Sequence, residues 1–271
     1  MTMYMVILKE EKIYDSEITR KQFERIKPLL ESSKKKTAPR KVDLLDVFNA
    51  ILYILREGCR WRSLPKEYPK WQLVYYYFSV WKEPRVDEGS ILEQALKQLV
   101  QDHRTEDGRD PETTFIIVDA QSVKNTETAE QKGYDGGKKV SGIKRHIAVD
   151  TQGLPHAIRV TTADVSDKAG ARQMITENKD SLDKVENILV DGGYTGNPFA
   201  NFVKDELSAQ VEVAKRSELH KFIVIPKRWV VERSFAWAER CRRLWKNCER
   251  KLSTSLAMLQ LAFTSVLLRR L

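Results

Sequence analysis

The sequence has few of the residues that cross-link small proteins or hold zinc. Its 271 residues include three cysteines and four histidines, and no two cysteines form a CxxC pair. An odd number of scattered cysteines does not make a disulfide framework, and neither residue type has the spacing of a zinc site. We therefore expect a reduced, cytoplasmic protein that is stabilised by an ordinary hydrophobic core.

Long hydrophobic runs are also missing. The first apolar run, "MYMVIL", is six residues long, whereas a spanning helix needs roughly 18 or more. The amino-terminal segment lacks the form of a signal peptide. We find no internal repeat and no low-complexity segment, so the sequence predicts a globular protein with no membrane partner.

Positive charge is abundant and unevenly distributed. The net charge is +9, and residues 225–271 hold 11 Lys or Arg but only 3 Asp or Glu. Nearly the whole excess therefore lies near the carboxyl end. Such asymmetry indicates a polyanionic partner, and without a membrane segment nucleic acid is favoured.

Residues 1–104 have the pattern of a small helical domain. Thr19 and Gln22 form a capping box, Asp43 is placed to cap the next helix, and Gly58 is placed to end it. The expected helices cover about 20–31, 44–57, 71–82 and 91–100. The polar stretch "DHRTEDGRDPET" follows, and we place the domain boundary there.

Residues 105–271 change to a pattern of strands and helices. The segments "FIIVDA", "IKRHIAVD", "LPHAIRVT", "NILVD", "AQVEVA" and "FIVI" predict strands, and the second and third join at a "TQG" hairpin. Helices are expected over about 167–180, 198–206 and 228–247. Alternation of this kind predicts an α/β fold, a mixed sheet flanked by helices.

Two predicted strands end in an acid, Asp119 and Asp191. Functional groups gather at strand ends in open α/β sheets, but Asp before Gly-Gly at 191–193 also commonly caps a turn. On the predicted helix Arg228, Glu232, Glu239 and Arg243 form one polar stripe, so Glu232 is alternatively half of an exposed ion pair. Together, the three acids suit two Mg²⁺ ions that act on a phosphodiester.

Other charged and aromatic residues leave two explanations open. Lys138, Lys139, Lys144 and Arg145 either contact a DNA backbone or cover an ordinary hairpin, and His146 is expected to be structural. Trp61, Trp71, Trp81 and the tyrosines at 75–77 are expected in the core. The alternatives for these aromatics are a helix-turn-helix-like pair that recognises DNA ends, or a covalent tyrosine nucleophile.

Several motifs resemble one known family. "IIVDAQSVK", "GYDGGKKVSGIKRHIAVDTQGLPHAIRV", "DGGYTG" and "PKRWVVERSFAWAERCRRL" resemble bacterial insertion-sequence transposases of the DDE type, namely the fifth family, related to the fourth. The segment "ILYILREGCRWRSLP" with "WQLVYYYFSVW" is similar to the amino-terminal region of that group. The resemblance covers almost the whole chain.

The resemblance implies a ribonuclease H-like catalytic domain with Asp119, Asp191 and Glu232 as the metal-binding triad and Arg228 beside it. It implies Mg²⁺, with Mn²⁺ as a substitute, and double-stranded DNA as partner, both terminal inverted repeats and target, bound by a homodimer in the bacterial nucleoid. The helical domain then binds DNA ends or dimerises. In the related family a Tyr and a Lys flank the Arg and Glu, but here Ile225 and Glu239 stand in those positions. The roles of that pair therefore do not carry over directly, and Lys227 and Arg240 are the candidates to substitute.

The expected DNA contacts lie in two groups. They are Lys138, Lys139, Lys144 and Arg145 on the hairpin, and Lys227, Arg233, Arg240, Arg242, Arg243 and Lys246 near the carboxyl end. Two competing functions remain at this level. One is a transposase-derived DNA-binding protein without strand transfer, and the other is a general phosphohydrolase of the same fold.

Overall fold

A computed structural model describes residues 14–32, 41–86, 88–214 and 228–270. The helices are α1 (Arg20–Glu24), α2 (Lys27–Glu31), α3 (Leu44–Glu57), α4 (Trp71–Lys82), α5 (Ile91–Glu106), α6 (Asp167–Glu177), α7 (Asn197–Leu207), α8 (Arg228–Glu239) and α9 (Leu252–Leu268). The strands are β1 (Phe115–Lys124), β2 (Gly133–Asp135), β3 (Val140–Val149), β4 (Pro155–Thr162), β5 (Asn187–Val190) and β6 (Gln210–Val213).

Local signals explain the helical region. The capping box of Thr19 and Gln22 starts α1, and Asp43 accepts a hydrogen bond from the backbone of Leu45 to start α3. Gly58 ends α3 in the left-handed conformation with φ of 68°. The single helix predicted over 20–31 is instead α1 and α2. Pro28 has no N–H to bond back across the break, so the helix cannot run through.

The strands form one mixed sheet in the order β2-β3-β1-β5-β6, with β4 also paired to β3. β1 is antiparallel to β3 and parallel to β5, and β5 is parallel to β6. β3 and β4 form the predicted hairpin. The prediction of a ribonuclease H-like α/β sheet, flanked by helices and preceded by a helical region, is therefore confirmed. The predicted strand "FIVI" lies outside the described residues.

The two faces of the sheet carry different helices. Ile117, Ile147 and Leu189 pack in a core with α8 and α9. Ile116, Val118 and their neighbours pack in a second core with α6 and α7. Because side chains alternate along a strand, every second residue of β1 faces α8.

The predicted helix over 228–247 was wrong in its second half. α8 ends at Glu239, Cys241 is extended, and a short 3₁₀ turn covers Arg242–Leu244. Side chains hold this break, since Arg145 donates 2.8 Å to the Leu244 carbonyl and Trp245 donates 2.5 Å to the Glu239 carbonyl. The expected polar stripe therefore cannot include Arg243, and Trp245, in the segment after the break, is 62% exposed.

α9 was not predicted. It packs against α3, α4 and α5 of the helical region and against α8 and β4 of the sheet region, and one core continues through all of them. α5 also runs to Glu106, where Arg104 forms a buried pair of 2.5 Å with Asp150. The two-domain division at residue 104 stays a prediction.

Candidate active site

Two acids are associated with neighbouring parallel strands: Asp119 lies within β1, and Asp191 directly follows β5. Phe115 pairs with Asn187 and Ile117 with Leu189, and the same offset, continued by two residues, aligns Asp119 with Asp191. Neighbouring strands lie about 4.8 Å apart. Asp119 lies two residues after Ile117, and Asp191 lies two residues after Leu189. Because side chains alternate between the faces of a sheet, this spacing predicts that both acids lie on the face that carries α8.

Each of these acids also bonds to nearby backbone. Asp119 accepts a hydrogen bond from the Ala120 N–H at 2.7 Å. Asp191 caps a short 3₁₀ turn and accepts from the Gly193 N–H at 2.9 Å, so the turn-cap explanation for Asp191 is also met. β5 ends just before Asp191 as predicted, but β1 continues five residues beyond Asp119 because those residues pair with β3.

The pKa of one buried tyrosine is affected by the acids at this edge of the sheet. Tyr194 is 1% exposed, and its hydroxyl has no hydrogen-bond partner among the described residues. Burial raises the pKa of Tyr194, and the charges of Asp119, Asp167 and Asp191 raise it further. The charges of Asp119 and Asp191 thus both raise the pKa of this hydroxyl.

Glu232 lies on the exposed side of α8 together with Ala236 and Glu239. α8 packs across β1 and β3. Glu239, at its end, accepts a hydrogen bond of 2.7 Å from Gln121, two residues beyond Asp119 on the same face. Within the four described ranges, however, no three His, Cys, Asp or Glu side chains already form a group that could hold a metal ion.

The proposed partner of Glu232 is placed only in part. Arg228 is the first residue of α8, one turn before Glu232, but its side chain lies outside what the structure describes. Lys227, another expected DNA contact, lies wholly outside the described residues.

The basic residues of the hairpin divide into exposed and buried pairs. Lys138 and Lys139 are exposed, and the Lys138 ammonium donates 3.1 Å to the carbonyl of Ala120, beside Asp119. Lys144 and Arg145 are only 4% and 2% exposed. Only the first pair is accessible to a DNA backbone in this structure.

Lys144 is the centre of a buried polar network. It lies 2.8 Å from Asp167 and 3.2 Å from Asp135, and Asp135 accepts 2.6 Å from Ser122. Burial would lower the pKa of Lys144, but its bonds to Asp167 and Asp135 raise it. The Ser122 hydroxyl and the Lys144 ammonium hold the pKa of Asp135 well below its usual range.

Arg145 links the sheet to the segment after α8. Its guanidinium contacts Gln121 at 3.3 Å and donates 2.8 Å to the Leu244 carbonyl. Burial lowers the pKa of Arg145 to about 10, although the negative charge of Glu239 partly offsets this by raising the pKa. Arg145 thus stays charged at neutral pH and holds the break after α8 in place.

The carboxyl-terminal basic residues are similarly mixed. Arg240, Arg242 and Lys246 are exposed, and Arg242 lies 3.2 Å from Glu57. The Arg243 side chain is about nine-tenths buried, with Glu249 at 2.7 Å and the Cys59 carbonyl at 2.8 Å. Arg233 stacks between Trp229 and Trp237 and donates to the Gln152 carbonyl at 2.9 Å.

His146 and several aromatics are structural, as predicted. His146 is fully buried and lies 3.0 Å from the Thr161 hydroxyl. Trp81 and Tyr77 are core residues, whereas Tyr75 and Tyr76 are 44% and 47% exposed. Trp61 and Trp71 are half-buried, so the prediction of a core role was wrong for Tyr75 and Tyr76.

Sequence reasoning missed several residues around the site. Gln121, Asp135 and Asp167 carry no distinctive spacing, and only the strand pairing and the start of α6 bring them to this edge. Arg56 and Arg270 are far apart in sequence, and the packing of α3 against α9 brings them together. Long-range pairing of this kind leaves no short signal.

Comparison with known proteins agrees with these features. Residues 110–267 match the family described as "Transposase DDE domain", and residues 18–88 match "Putative transposase of IS4/5 family". A "Putative transposase for insertion sequence element IS402" from Burkholderia cepacia is 30% identical over 127 residues. That alignment covers 44% of this chain and 60% of the relative.

No solved structure has significant similarity to this chain. Across the described parts of the chain, no helix is both long and apolar enough to cross a bilayer.

Proposed function

This chain belongs to the DDE transposase family of insertion sequences, and on that premise we propose that it moves such an element. It binds the terminal inverted repeats, cleaves the ends to 3′-OH groups and joins them to double-stranded target DNA. The observation that supports the proposal most is the parallel pairing of β1 with β5, because Asp119 lies in β1 and Asp191 directly follows β5, while α8, which carries Glu232, packs against β1.

The donor atoms of these residues fit a magnesium ion. Carboxylate oxygens are the ligands that Mg²⁺ prefers, and the ion usually keeps waters and phosphate oxygens as well. Asp119 and Asp191 would hold the metal from the sheet and Glu232 from α8, with Mn²⁺ as a substitute. When bound, a metal pair activates the attacking oxygen and stabilises the leaving oxygen of the phosphodiester.

The residues of the chain itself orient the carboxylates and the DNA. The N–H groups of Ala120 and Gly193 each bond one oxygen of an acid, which fixes the direction of the other. Gln121 ties the end of α8 to β1. Arg228 starts the turn before Glu232, where a guanidinium would favour the ionised acid and grip a phosphate oxygen in a forked geometry.

Exposed cations supply the sequence-independent grip on DNA. We assign this role to Lys138, Lys139, Arg240, Arg242 and Lys246, which are all exposed. Lys144, Arg145, Arg233 and Arg243 bond instead to carboxylates, carbonyls and rings within the chain. Two protomers, one on each element end, would complete the reaction.

The test uses the full chain and a duplex that carries the ends of its own element, read from the DNA that flanks the gene. With Mg²⁺, we expect nicking that leaves 3′-OH ends, followed by their transfer into a plasmid. Chelation should stop both steps, and binding of Mn²⁺ followed by electron paramagnetic resonance gives a readout independent of activity. Absence of any metal-dependent cut would contradict the proposal.

A second function stays open because the three acids do not form a preassembled metal group in the described structure. A transposase-derived DNA-binding protein would bind the same ends without strand transfer. The assay separates the two, since this alternative predicts unchanged DNA under conditions where binding is complete.

A further inference from the structure

A cleft lined by arginines lies where the helical region meets the sheet region. Arg56 of α3, Arg240 after α8, and Arg269 and Arg270 at the end of α9 surround a cavity of about 260 Å³. We call it the arginine cleft. No short sequence motif predicts it, because its four arginines come from three separate segments.

Contacts within the protein hold three of the four arginine side chains in place. Arg56 donates 2.9 Å to the Arg240 carbonyl, and Arg269 donates to the Ser16 carbonyl. Arg270 lies over the ring of Trp237 at 4.0 Å. Fixed guanidinium groups lose little further side-chain entropy when they bind a ligand, so the cleft is organised in advance.

The four positive charges oppose one another. Burial lowers the pKa of Arg269, and the charge of Arg56 lowers it further. Burial likewise lowers the pKa of Arg270, with Arg233 and Arg240 adding to the effect. In the described ranges, none of the four cleft arginines forms an ion pair. A bound anion would relieve this repulsion.

The chemistry of the cleft matches a phosphodiester. Guanidinium forks bind phosphate oxygens through paired hydrogen bonds, a geometry that an ammonium group cannot copy. Walls formed by Trp237 and the aliphatic residues Leu52 and Leu55 lower the local polarity, which strengthens the attraction for an anion.

The position of the cleft connects it to the acidic site. α8 carries Glu232 and ends at Glu239, directly before Arg240 of the cleft. The seven residue steps from Glu232 to Glu239 span about 11 Å of helix axis. One DNA strand advances about 3.4 Å per base pair, so about three or four nucleotides cover that distance. A strand cut beside Glu232 would reach the cleft within that length.

We propose that the arginine cleft binds a backbone phosphodiester of the DNA strand that leaves the acidic site along α8. The inference rests on the proposed function for the identity of the ligand. The proposed contact would connect the helical region and the sheet region through one DNA strand. Arg56 belongs to the helical region, and Arg270 belongs to the sheet region.

The experiment measures DNA binding by the full chain without Mg²⁺, so that no cleavage is needed. The double variant Arg56→Gln/Arg270→Gln removes two cleft charges, and Arg56→Lys/Arg270→Lys keeps the charges but removes the forks. The matched control is Lys184→Gln/Lys204→Gln, which removes two exposed charges outside the cleft. Thermal unfolding first establishes that each variant is folded.

The decisive quantity is the slope of log affinity for a mixed-sequence duplex against log salt. We expect the Gln pair to flatten the slope by about one to two units. The Lys pair should keep the wild-type slope but bind DNA more weakly. The control pair, whose lysines are not among the proposed DNA contacts, should keep the wild-type slope. A slope as steep for the Gln pair as for the wild type overturns the proposal.

A second arm identifies the source of the phosphate. Inorganic phosphate at constant ionic strength should raise the unfolding temperature of the wild type more than that of the Gln pair. If this difference appears while the DNA slope is unchanged, the cleft binds a free anion and the DNA proposal is wrong. A wild type that shows the expected slope but never cuts in Mg²⁺ would overturn the proposed function and leave the cleft assignment standing.

Discussion

Gln121 on β1 donates a hydrogen bond of 2.7 Å to Glu239, the last residue of α8. The strand that carries Asp119 is thereby tied to the helix that carries Glu232. Arg145 contacts the same glutamine at 3.3 Å and bonds the segment after α8. The orientation of α8 over the sheet thus depends on a small polar group as well as on its apolar side.

Exchange of the two ends of this bond tests its contribution. Gln121→Glu should lower the free energy of unfolding by about 1 kcal/mol or more, because two carboxylates would then face each other. Adding Glu239→Gln restores a donor opposite an acceptor and should recover most of the loss. Urea denaturation of the wild type, both single variants and the double variant measures the coupling. A double variant no more stable than Gln121→Glu would show that the bond contributes nothing.

Replacement of the three acids tests the metal site. Asp119→Asn, Asp191→Asn and Glu232→Gln should each abolish cleavage while folding and DNA binding stay largely intact, because a lost ligand removes charge stabilisation in the transition state. Cleavage and Mn²⁺ affinity are measured together. Asp183→Asn is the control, because Asp183 is exposed and precedes β5, whereas Asp191 follows that strand. Any of the three that retains near wild-type cleavage in Mg²⁺ is not part of the triad.

Arg228→Lys separates a catalytic arginine from a surface ion pair. A surface pair is worth under about 1 kcal/mol, so a structural role predicts little change in stability or rate. A role in phosphate binding predicts normal folding and near-normal DNA binding, but a loss of cleavage of about tenfold or more, about 1.4 kcal/mol in the barrier. Single-turnover cleavage of a pre-bound DNA end gives the rate, and an unchanged rate assigns Arg228 to the helix surface.

Arg243 and Arg242 should behave differently although they are adjacent. Arg243 and Glu249 are about nine-tenths buried and 2.7 Å apart, so Arg243→Gln leaves a buried acid without its cation and should cost about 3 kcal/mol or more. Arg242→Gln breaks an exposed pair with Glu57 and should cost under about 1 kcal/mol. Chemical denaturation measures both. Equal losses for the two variants would contradict the burial difference.

His146 should make stability depend on mildly acidic pH. Burial lowers the pKa of His146 to about 4, below its usual value of about 6.5. The unfolded chain therefore binds a proton that the folded chain excludes, and stability falls as pH drops from about 6.5 towards about 4. Between about pH 7 and about pH 5 the loss from this one residue is about 2 kcal/mol.

The variant His146→Gln provides the comparison for that pH dependence. It removes the titrating group, so its unfolding free energy should change less over the same interval, even if its stability at neutral pH is lower. Urea denaturation at matched ionic strength measures both proteins. Parallel pH curves for the two would show that other groups account for the loss.

Local signals predicted the elements that depend on adjacent residues. The cap at Asp43 and the left-handed Gly58 set the bounds of α3, and two strand-like segments on either side of a TQG turn located β3 and β4. The strand acids were also identified from the residues that precede them. These features depend on steric and hydrogen-bonding preferences that act over a few positions.

Long-range contacts decided what the sequence could not predict. β1 extends beyond Asp119, where the sequence predicted its end, because its last residues pair with β3. The helical pattern after Glu239 was overridden by bonds from Arg145 and Trp245. α9 is apolar on nearly every side, so it lacks the two-faced pattern that marks a surface helix. Lys144 and Arg145 looked like solvated cations because burial beside Asp167 and Leu244 is a property of the fold alone.

The central position of α9 has a consequence for the order of folding during synthesis. The helix is made after every other described element, yet it fills the space between α3, α4 and α5 on one side and β4 and α8 on the other. A nascent chain that has not reached Leu252 therefore lacks the centre of its own core. Regions made early usually fold first on the ribosome, but here the amino-terminal helices must wait for a segment from the far end. A copy of the gene interrupted late in its reading frame would lose its fold as well as its arginine cleft.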